Sequence, residues 1–102
     1  MNVIVDFSLV PIGVGTSLSK YVAKCEQVLR EAGLRINLHG YGTNIEGEWD
    51  EVMQAIKKCH TVVHDMGAPR ISTIVKIGTR IDRKQTIQDK ILSVEKKAGP
   101  SL

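Results

Sequence analysis

The chain has 102 residues, of which 42% are hydrophobic and 25% are charged, a composition typical of one globular domain and not of a disordered segment. Its formal net charge of +3 comes without a dense run of basic residues, which argues against a nucleic-acid-binding protein. No stretch is apolar for long enough to span a membrane, and the chain opens directly into a predicted strand. We therefore expect a cytoplasmic protein with no membrane partner.

The two cysteines, Cys25 and Cys59, are far apart in the sequence, and each falls on the apolar side of a predicted helix. Free cysteines are among the most buried residue types. We expect buried, reduced thiols instead of a disulfide or a metal site, as in a reducing compartment.

The chain begins with a predicted strand and helix. Residues 2–10 alternate between two faces, which is typical of a half-buried strand, and Pro11 ends the pattern. Apolar residues then recur at helical spacing over residues 18–29. Thr16 or Ser17 is the predicted N-cap of this helix.

Two short strands follow the first helix. Gly33 ends the helix, and the alternation over residues 34–39 predicts a strand on which Leu38 faces inward with Leu34 and Ile36. A glycine-rich turn at residues 40–42 leads into a third strand at residues 43–46.

The second half of the chain predicts a helix, a strand and a last helix. The second helix begins near Glu48, where carboxylates accumulate, and ends at Gly67. Residues 70–79 alternate as a fourth strand, and residues 86–97 show apolar side chains at helical spacing.

This order of elements predicts an α+β, ferredoxin-like βαββαβ sandwich with an additional C-terminal helix. Right-handed crossovers place the first and fourth strands close together in a four-stranded antiparallel sheet. We expect one domain over residues 1–97, followed by a frayed tail at residues 98–102.

The sheet face opposite the two main helices carries a mixture of polar and apolar side chains. This mixture is typical neither of a solvent-exposed face nor of a hydrophobic core. The fourth strand also has only one charge within residues 72–77, which makes it a risky free edge. We therefore predict a homodimer or homotetramer that assembles through sheet edges or sheet faces.

The sequence lacks the residues that several functions common in this fold require. An RNA-binding sandwich needs aromatic side chains on its central strands, and Phe7 is predicted to face the core. A metallochaperone needs a Cys-x-x-Cys pair, which the chain does not have. The loop over residues 11–17 lacks the lysine of a phosphate-binding P-loop. His60 and His64 have the spacing of metal ligands, but no third ligand is near in sequence, so solvated or capping roles are favoured.

Glu46 is the carboxylate on which the functional hypothesis depends. It precedes Gly47 on a short strand and lies three residues before Trp49, the chain's one tryptophan. In a structural interpretation, Glu46 accepts backbone hydrogen bonds or pairs with Arg70 or Arg80, and Trp49 fills the core. In a functional interpretation, Glu46 accepts N–H groups of an amino-substituted heterocycle, and Trp49 lies near a cationic or flat ring.

Four blocks of the sequence resemble the YkoF-like thiamine-binding family of short ferredoxin-like proteins, over about residues 3–97 in total. The chain is similar above all to the single-repeat members of that family. The blocks are Asp6–Gly13, Ser19–Ala23, Gly42–Met53, and Arg70 together with Lys76–Asp82.

The resemblance implies a subunit of dimers or tetramers that binds thiamine or its hydroxymethylpyrimidine part, with no known catalysis. We expect no cofactor and no metal site. It implies ligand contacts from Ser8, Pro11, Thr43 and Glu46, with Arg80 ranked after them. We therefore predict non-enzymatic binding of thiamine or a related aminopyrimidine.

Two alternatives stay open. One is a structural or regulatory homo-oligomer that has no small-molecule ligand. The other, ranked last, is a small hydrolase of phosphate esters or acyl phosphates that uses the loop at residues 13–17 together with Arg80.

Overall fold

The computed structural model describes residues 1–99 and contains four strands and three helices. Residues 100–102 of the predicted tail lie outside the described residues. In chain order the elements are β1 (Asn2–Ile12), α1 (Ser19–Glu31), β2 (Arg35–His39), β3 (Gly42–Glu48), α2 (Trp49–Asp65), β4 (Arg70–Thr79) and α3 (Ile87–Ala98).

The four strands form one antiparallel sheet in the order β2-β3-β1-β4. This arrangement confirms the predicted ferredoxin-like fold, including the neighbouring positions of β1 and β4. None of the helices within residues 1–99 combines the length and the apolar character that crossing a lipid bilayer requires.

Strand β1 lies inside the sheet and pairs with β3 on one side and β4 on the other. Its odd-numbered residues Val3, Val5 and Phe7 are buried against α1 and α2. Burying a side chain of this size contributes about 1.5–3 kcal/mol of transfer free energy. Its even-numbered residues point to the other face of the sheet, which we call the open face.

Pro11 does not end β1, contrary to the prediction, because the strand continues to Ile12. Proline lacks the N–H group that a strand with two neighbours needs. Strand β3 pairs with β1 only as far as Phe7, whereas Pro11 pairs with Ile71 of β4. The proline therefore lies where β1 has a neighbour on one side only.

Helices α1 and α2 pack their apolar stripes on the same face of the sheet. Cys25 and Cys59 are buried between them as free thiols, as predicted, and the Cys59 Sγ lies 3.8 Å from the carbonyl oxygen of Cys25. The other buried side chains of the two helices include Tyr21, Val28, Leu29, Val52, Ile56 and Val63.

The start of α1 differs from the prediction, and its end agrees. The N-cap is Leu18, which has helical backbone angles and whose carbonyl accepts the N–H groups of Tyr21 and Val22. Thr16 and Ser17 therefore lie before the cap, and no side chain caps the helix. At the other end Gly33 takes a φ of +78°, a conformation that favours glycine and ends the helix.

Leu38 was predicted to face inward, but its side chain is 60% exposed. Strand β2 lies at the edge of the sheet, and α1 covers its beginning, where Leu34 is buried. Alternation predicts the face of the sheet on which Leu38 lies, but it does not predict how far a helix extends over that face. Leu38 lies on the helix-covered face, beyond the part that α1 covers.

Helix α3 lies on the open face, so part of that face is covered from within the chain. Ile87, the first residue of α3, is buried, and its N–H donates to the Glu46 carboxylate on β3. Thr86 caps the helix through a reciprocal pair of hydrogen bonds with Asp89.

A buried polar pair joins α1 to β3 on the helix-covered face. The Thr43 hydroxyl donates to Oε2 of Glu26 over 2.8 Å, and the Glu26 side chain is almost fully buried. The second oxygen, Oε1, has no hydrogen-bond partner among the described residues. Within residues 1–99, Thr43 is therefore the one side chain whose hydrogen bond replaces the water that this carboxyl group loses on burial.

We expect Thr43→Val to lower the free energy of unfolding by about 1–3 kcal/mol, because Glu26 Oε2 then loses its hydrogen-bond donor inside the core. Urea denaturation of the two proteins measures this difference. The double variant Thr43→Val/Glu26→Leu removes the polar pair altogether and should recover part of the loss. Equal stability of Thr43→Val and the wild type would contradict the role given to this hydrogen bond.

A second prediction concerns the close approach of β1 and β3 at Gly42. A Cβ atom at Gly42 would lie 2.6 Å from the carbonyl oxygen of Phe7, whereas a Cβ at Gly40 would meet nothing within 4 Å. We expect Gly42→Ala to cost about 1–3 kcal/mol because the two backbones must separate. Gly40→Ala should stay within about 0.5 kcal/mol in the same thermal unfolding experiment. Similar losses for both variants would show that steric contact at Gly42 is not the cause.

Candidate ligand-binding site

The open face carries the polar side chains of the sheet. Alternation of the four strands places most of their charged and hydrogen-bonding groups on this side, whereas Thr43 and Thr73 face α1 and α2. They include Asp6 and Ser8 on β1, Arg35, Asn37 and His39 on β2, Asn44 and Glu46 on β3, and Ser72 and Lys76 on β4.

Asp6 lies at the centre of this face and receives two side-chain hydrogen bonds. His39 Nε2 lies 2.7 Å from Asp6 Oδ1, and Asn44 Nδ2 donates to the same oxygen over 3.3 Å. The Tyr41 N–H donates to His39 Nδ1, so the proton of the ring lies on Nε2, toward Asp6. Both ring nitrogens are thus occupied, and this pair offers no free nitrogen as a general base.

Glu46 lies deeper than the rest of the open face, with only 11% of its side chain exposed. Its Oε2 accepts the backbone N–H of Ile87 over 2.8 Å, which places the carboxylate at the positive N-terminal end of α3. Its Oε1 lies 4.0 Å from Nε of Arg35, too far for a hydrogen bond, and the Arg35 side chain is 84% exposed. One carboxylate oxygen is therefore engaged by α3, and the other has no close partner among residues 1–99.

Two cavities lie beside these groups. The smaller one, the Glu46 pocket, has a volume of about 250 Å³ and is lined by Arg35, Ile36, Asn37, Glu46, Ile87 and Gln88. The larger one, the open-face cleft, has a volume of about 940 Å³ and lies between β1, β4, the loop over residues 80–86 and α3. Ile87 lines both cavities and stands between them.

Arg80 lines the open-face cleft and organises the loop that follows β4. Its Nε and Nη2 donate to the two oxygens of Asp82 over 2.6 and 2.8 Å, and its Nη1 donates to Gln85. These hydrogen bonds from Arg80 are the main reason why the pKa of Asp82 lies below its ordinary value, and they raise the pKa of Arg80. The guanidinium therefore has a carboxylate partner within its own loop.

The structure brings some of the sequence-predicted site residues to one side of the sheet and separates others. Glu46, Arg80 and Ser8 lie toward the open face, although Ser8 is outside the linings of both cavities. Pro11 and Thr43 are buried on the helix-covered face. Trp49 is the first residue of α2 and remains 37% exposed.

Sequence reasoning missed the groups that α3 and its preceding loop contribute. Ile87 supplies the N–H group that engages Glu46, and Arg83, Lys84 and Lys90 line the open-face cleft. The available signal was the run Arg80-Ile-Asp-Arg-Lys-Gln directly before an amphipathic helix. That run gives the charge, but it does not show which face of the sheet the helix will cover.

The two histidines of α2 have partners within the protein. His60 Nε2 lies 2.7 Å from the Thr73 hydroxyl, and His64 Nδ1 lies 2.7 Å from the carbonyl oxygen of Ala68. Burial, and to a smaller extent the neighbouring His64, lower the pKa of His60. Within residues 1–99 no group of three or more His, Cys, Asp or Glu side chains has the arrangement of a metal site.

Comparisons with known proteins agree with this fold and cover most of the chain. The profile of the family described as thiamine-binding protein matches residues 5–95. A UPF0045 protein of Synechocystis is 59% identical over 95 residues, which are 93% of this chain and 78% of that protein. UPF0045 protein ECM15 of Eremothecium gossypii is 46% identical over 95% of this chain and 93% of its own length.

A solved structure gives the same result in three dimensions. Hypothetical protein MJ1052 of Methanocaldococcus jannaschii superposes with a TM-score of 0.86 at 33% identity, over 91% of this chain and 95% of that one. Since the family profile spans nearly the whole sequence and the relatives match along most of their length, the chain belongs to the thiamine-binding protein family.

Proposed function

We propose that this protein binds thiamine or a related aminopyrimidine such as hydroxymethylpyrimidine, without catalysing a reaction, and that it does so as a homo-oligomer. The observation that supports this most directly is the Glu46 carboxylate. It is nearly buried, it lines a cavity, and in the described part of the chain its Oε1 has no close partner. Membership of a family described by thiamine binding points to the same class of ligand.

The chemistry of an aminopyrimidine suits this carboxylate. The exocyclic amino group of the ring donates N–H hydrogen bonds, and a charged acceptor makes them stronger than a neutral acceptor would. A volume of about 250 Å³ is below the usual range for drug-sized ligands, so the Glu46 pocket fits one heterocyclic ring and not a large molecule. In thiamine the positive charge of the second ring adds attraction to Glu46.

The other proposed site residues have different positions and therefore different roles in this proposal. Ser8 and Arg80 lie toward the open face, where a ligand can reach them. Pro11 and Thr43 support β1 and β3 from the opposite face. Trp49 follows the last residue of β3, so it influences the ligand through the end of the strand that carries Glu46.

The free edge of β4 supports the homo-oligomer. Among the described residues β4 pairs with β1 alone, along ten residues, and its outer edge has no strand beside it. Ile74, in the middle of β4, is 71% exposed. A long edge with few charges is a template for pairing with another strand, and a second copy of β4 satisfies it symmetrically. This observation also favours the second candidate function, a structural homo-oligomer without a small-molecule ligand.

We expect Glu46→Gln to weaken the binding of thiamine and hydroxymethylpyrimidine by at least about tenfold, because a hydrogen bond to a charged group is replaced by one to a neutral group. The glutamine oxygen still accepts the Ile87 N–H, so the fold and the oligomer should be retained. Isothermal titration calorimetry measures the affinity.

Glu31→Gln is the matched control, since Glu31 is exposed at the end of α1 and the charge change is the same. Binding to this variant should equal binding to the wild type. The proposal fails if neither ligand gives heat or a thermal shift with the wild type at millimolar concentration, or if both variants lose affinity equally.

We expect the wild type to have a solution mass of two or four times the 11.2 kDa of one chain. Ile74→Lys should shift this mass toward the monomer, because a charge in the middle of a strand edge opposes pairing. Size-exclusion chromatography with light scattering measures both.

Tyr41→Lys is the control for this experiment. Tyr41 is also highly exposed, but it lies in the β2–β3 connection, at the other edge of the sheet. A wild type that is strictly monomeric at about 100 μM, or an equal shift in both variants, would contradict assembly through β4.

A further inference from the structure

The open-face cleft concentrates the positive charge of the protein. Five of the chain's 14 lysines and arginines line it, but only one of its 11 aspartates and glutamates does. The basic residues come from β4, the following loop and α3, and they are Lys76, Arg80, Arg83, Lys84 and Lys90. The acidic one is Asp6.

The protein itself neutralises only part of this positive charge. Arg80 is held by Asp82, and Lys76 lies beside Asp6 in the register of β1 and β4. Among residues 1–99 no carboxylate lies within ion-pair distance of Arg83, Lys84 or Lys90, although Arg83 interacts electrostatically with Asp82 and Asp89 at longer range. Asp6 also receives hydrogen bonds from His39 and Asn44, so Lys76 shares this carboxylate with two other side chains.

The remainder of the lining is largely apolar. Isoleucine side chains from β1, β4, the loop and α3 contribute to the walls, and they are Ile4, Ile77, Ile81, Ile87 and Ile91. No phenylalanine, tyrosine or tryptophan is among the lining residues, so the cleft lacks the stacking platforms of single-strand nucleic-acid sites. Its volume of about 940 Å³ lies in the range of small-molecule sites.

We propose that the open-face cleft binds a phosphorylated small molecule, with the phosphate groups on Arg83, Lys84 and Lys90 and an apolar or flat body against the isoleucines. Phosphate oxygens accept charge-assisted hydrogen bonds from lysine and arginine, and the isoleucine walls gain from covering apolar surface. Free thiamine is a cation and gains no attraction from Arg83, Lys84 and Lys90, whereas organic diphosphates are anions. The cleft is separated from the Glu46 pocket by Ile87, so this inference does not rest on the proposed function.

Isothermal titration calorimetry of the full chain with inorganic pyrophosphate, thiamine diphosphate and ADP tests the proposal. The wild type should bind all three at low ionic strength, and its affinity should fall as salt is added. The variant Lys84→Ala/Lys90→Ala should lose at least about tenfold in affinity for each probe. Tighter binding of thiamine diphosphate than of ADP identifies a thiamine-derived ligand, and equal binding shows that the phosphates alone are recognised; both results support the site.

The matched control is Lys57→Ala/Lys58→Ala, which removes two exposed lysines of α2 outside the cleft and should leave the affinities unchanged. Glu46→Gln should also leave pyrophosphate binding unchanged, so the two proposals fail independently. The proposal is overturned if no phosphate probe binds at millimolar concentration, or if the control variant loses as much affinity as the cleft variant. It is also overturned if a single-stranded oligonucleotide binds more tightly than every small phosphate probe at the same salt concentration.

Discussion

The two-residue period of β1 is the constraint on which the remainder of the structure depends. Because β1 pairs with strands on both sides, its alternation assigns each neighbouring position of the sheet to the core or to the open face. Val3, Val5 and Phe7 are buried against the helices, and Asp6 lies at the centre of the open face. A slip of one residue would bury Asp6 under α1 and α2 and expose the valines, so the same pattern that stabilises the core also holds the candidate site in place.

Glu46 connects the stability of the fold to its proposed function. One carboxylate oxygen accepts the first N–H group of α3, which has no carbonyl acceptor within the helix because it lies in the first turn. The other oxygen lies beside the Glu46 pocket. A carboxylate has enough acceptor positions for both tasks. The structural and functional interpretations of this residue are therefore compatible, and α3 closes one side of the cavity that Glu46 lines.

The elements that could be predicted are those whose signals are local. Alternation over residues 70–79 gave β4 with its observed bounds, and Gly33 marked the end of α1 because its backbone takes a positive φ. Local signals were less reliable where a neighbour decides the outcome. Pro11 stays in β1 because β3 has already ended, and Leu38 is exposed because α1 does not extend over it. Neither result can be predicted from the residues adjacent to those positions in the sequence.

The sequence by itself determined the strand and helix order, the free buried cysteines, and the presence of a single carboxylate between glycine-rich turns. These follow from periodicity, turn residues and composition, which act over a few residues. Only the tertiary structure decided that α3 covers the open face, that Ile87 engages Glu46, and that Arg83, Lys84 and Lys90 meet across one cleft. The physical reason is that the sequence of an amphipathic helix shows that one of its faces must pack on an apolar surface. Which surface that is depends on the part of the sheet that the other helices leave uncovered.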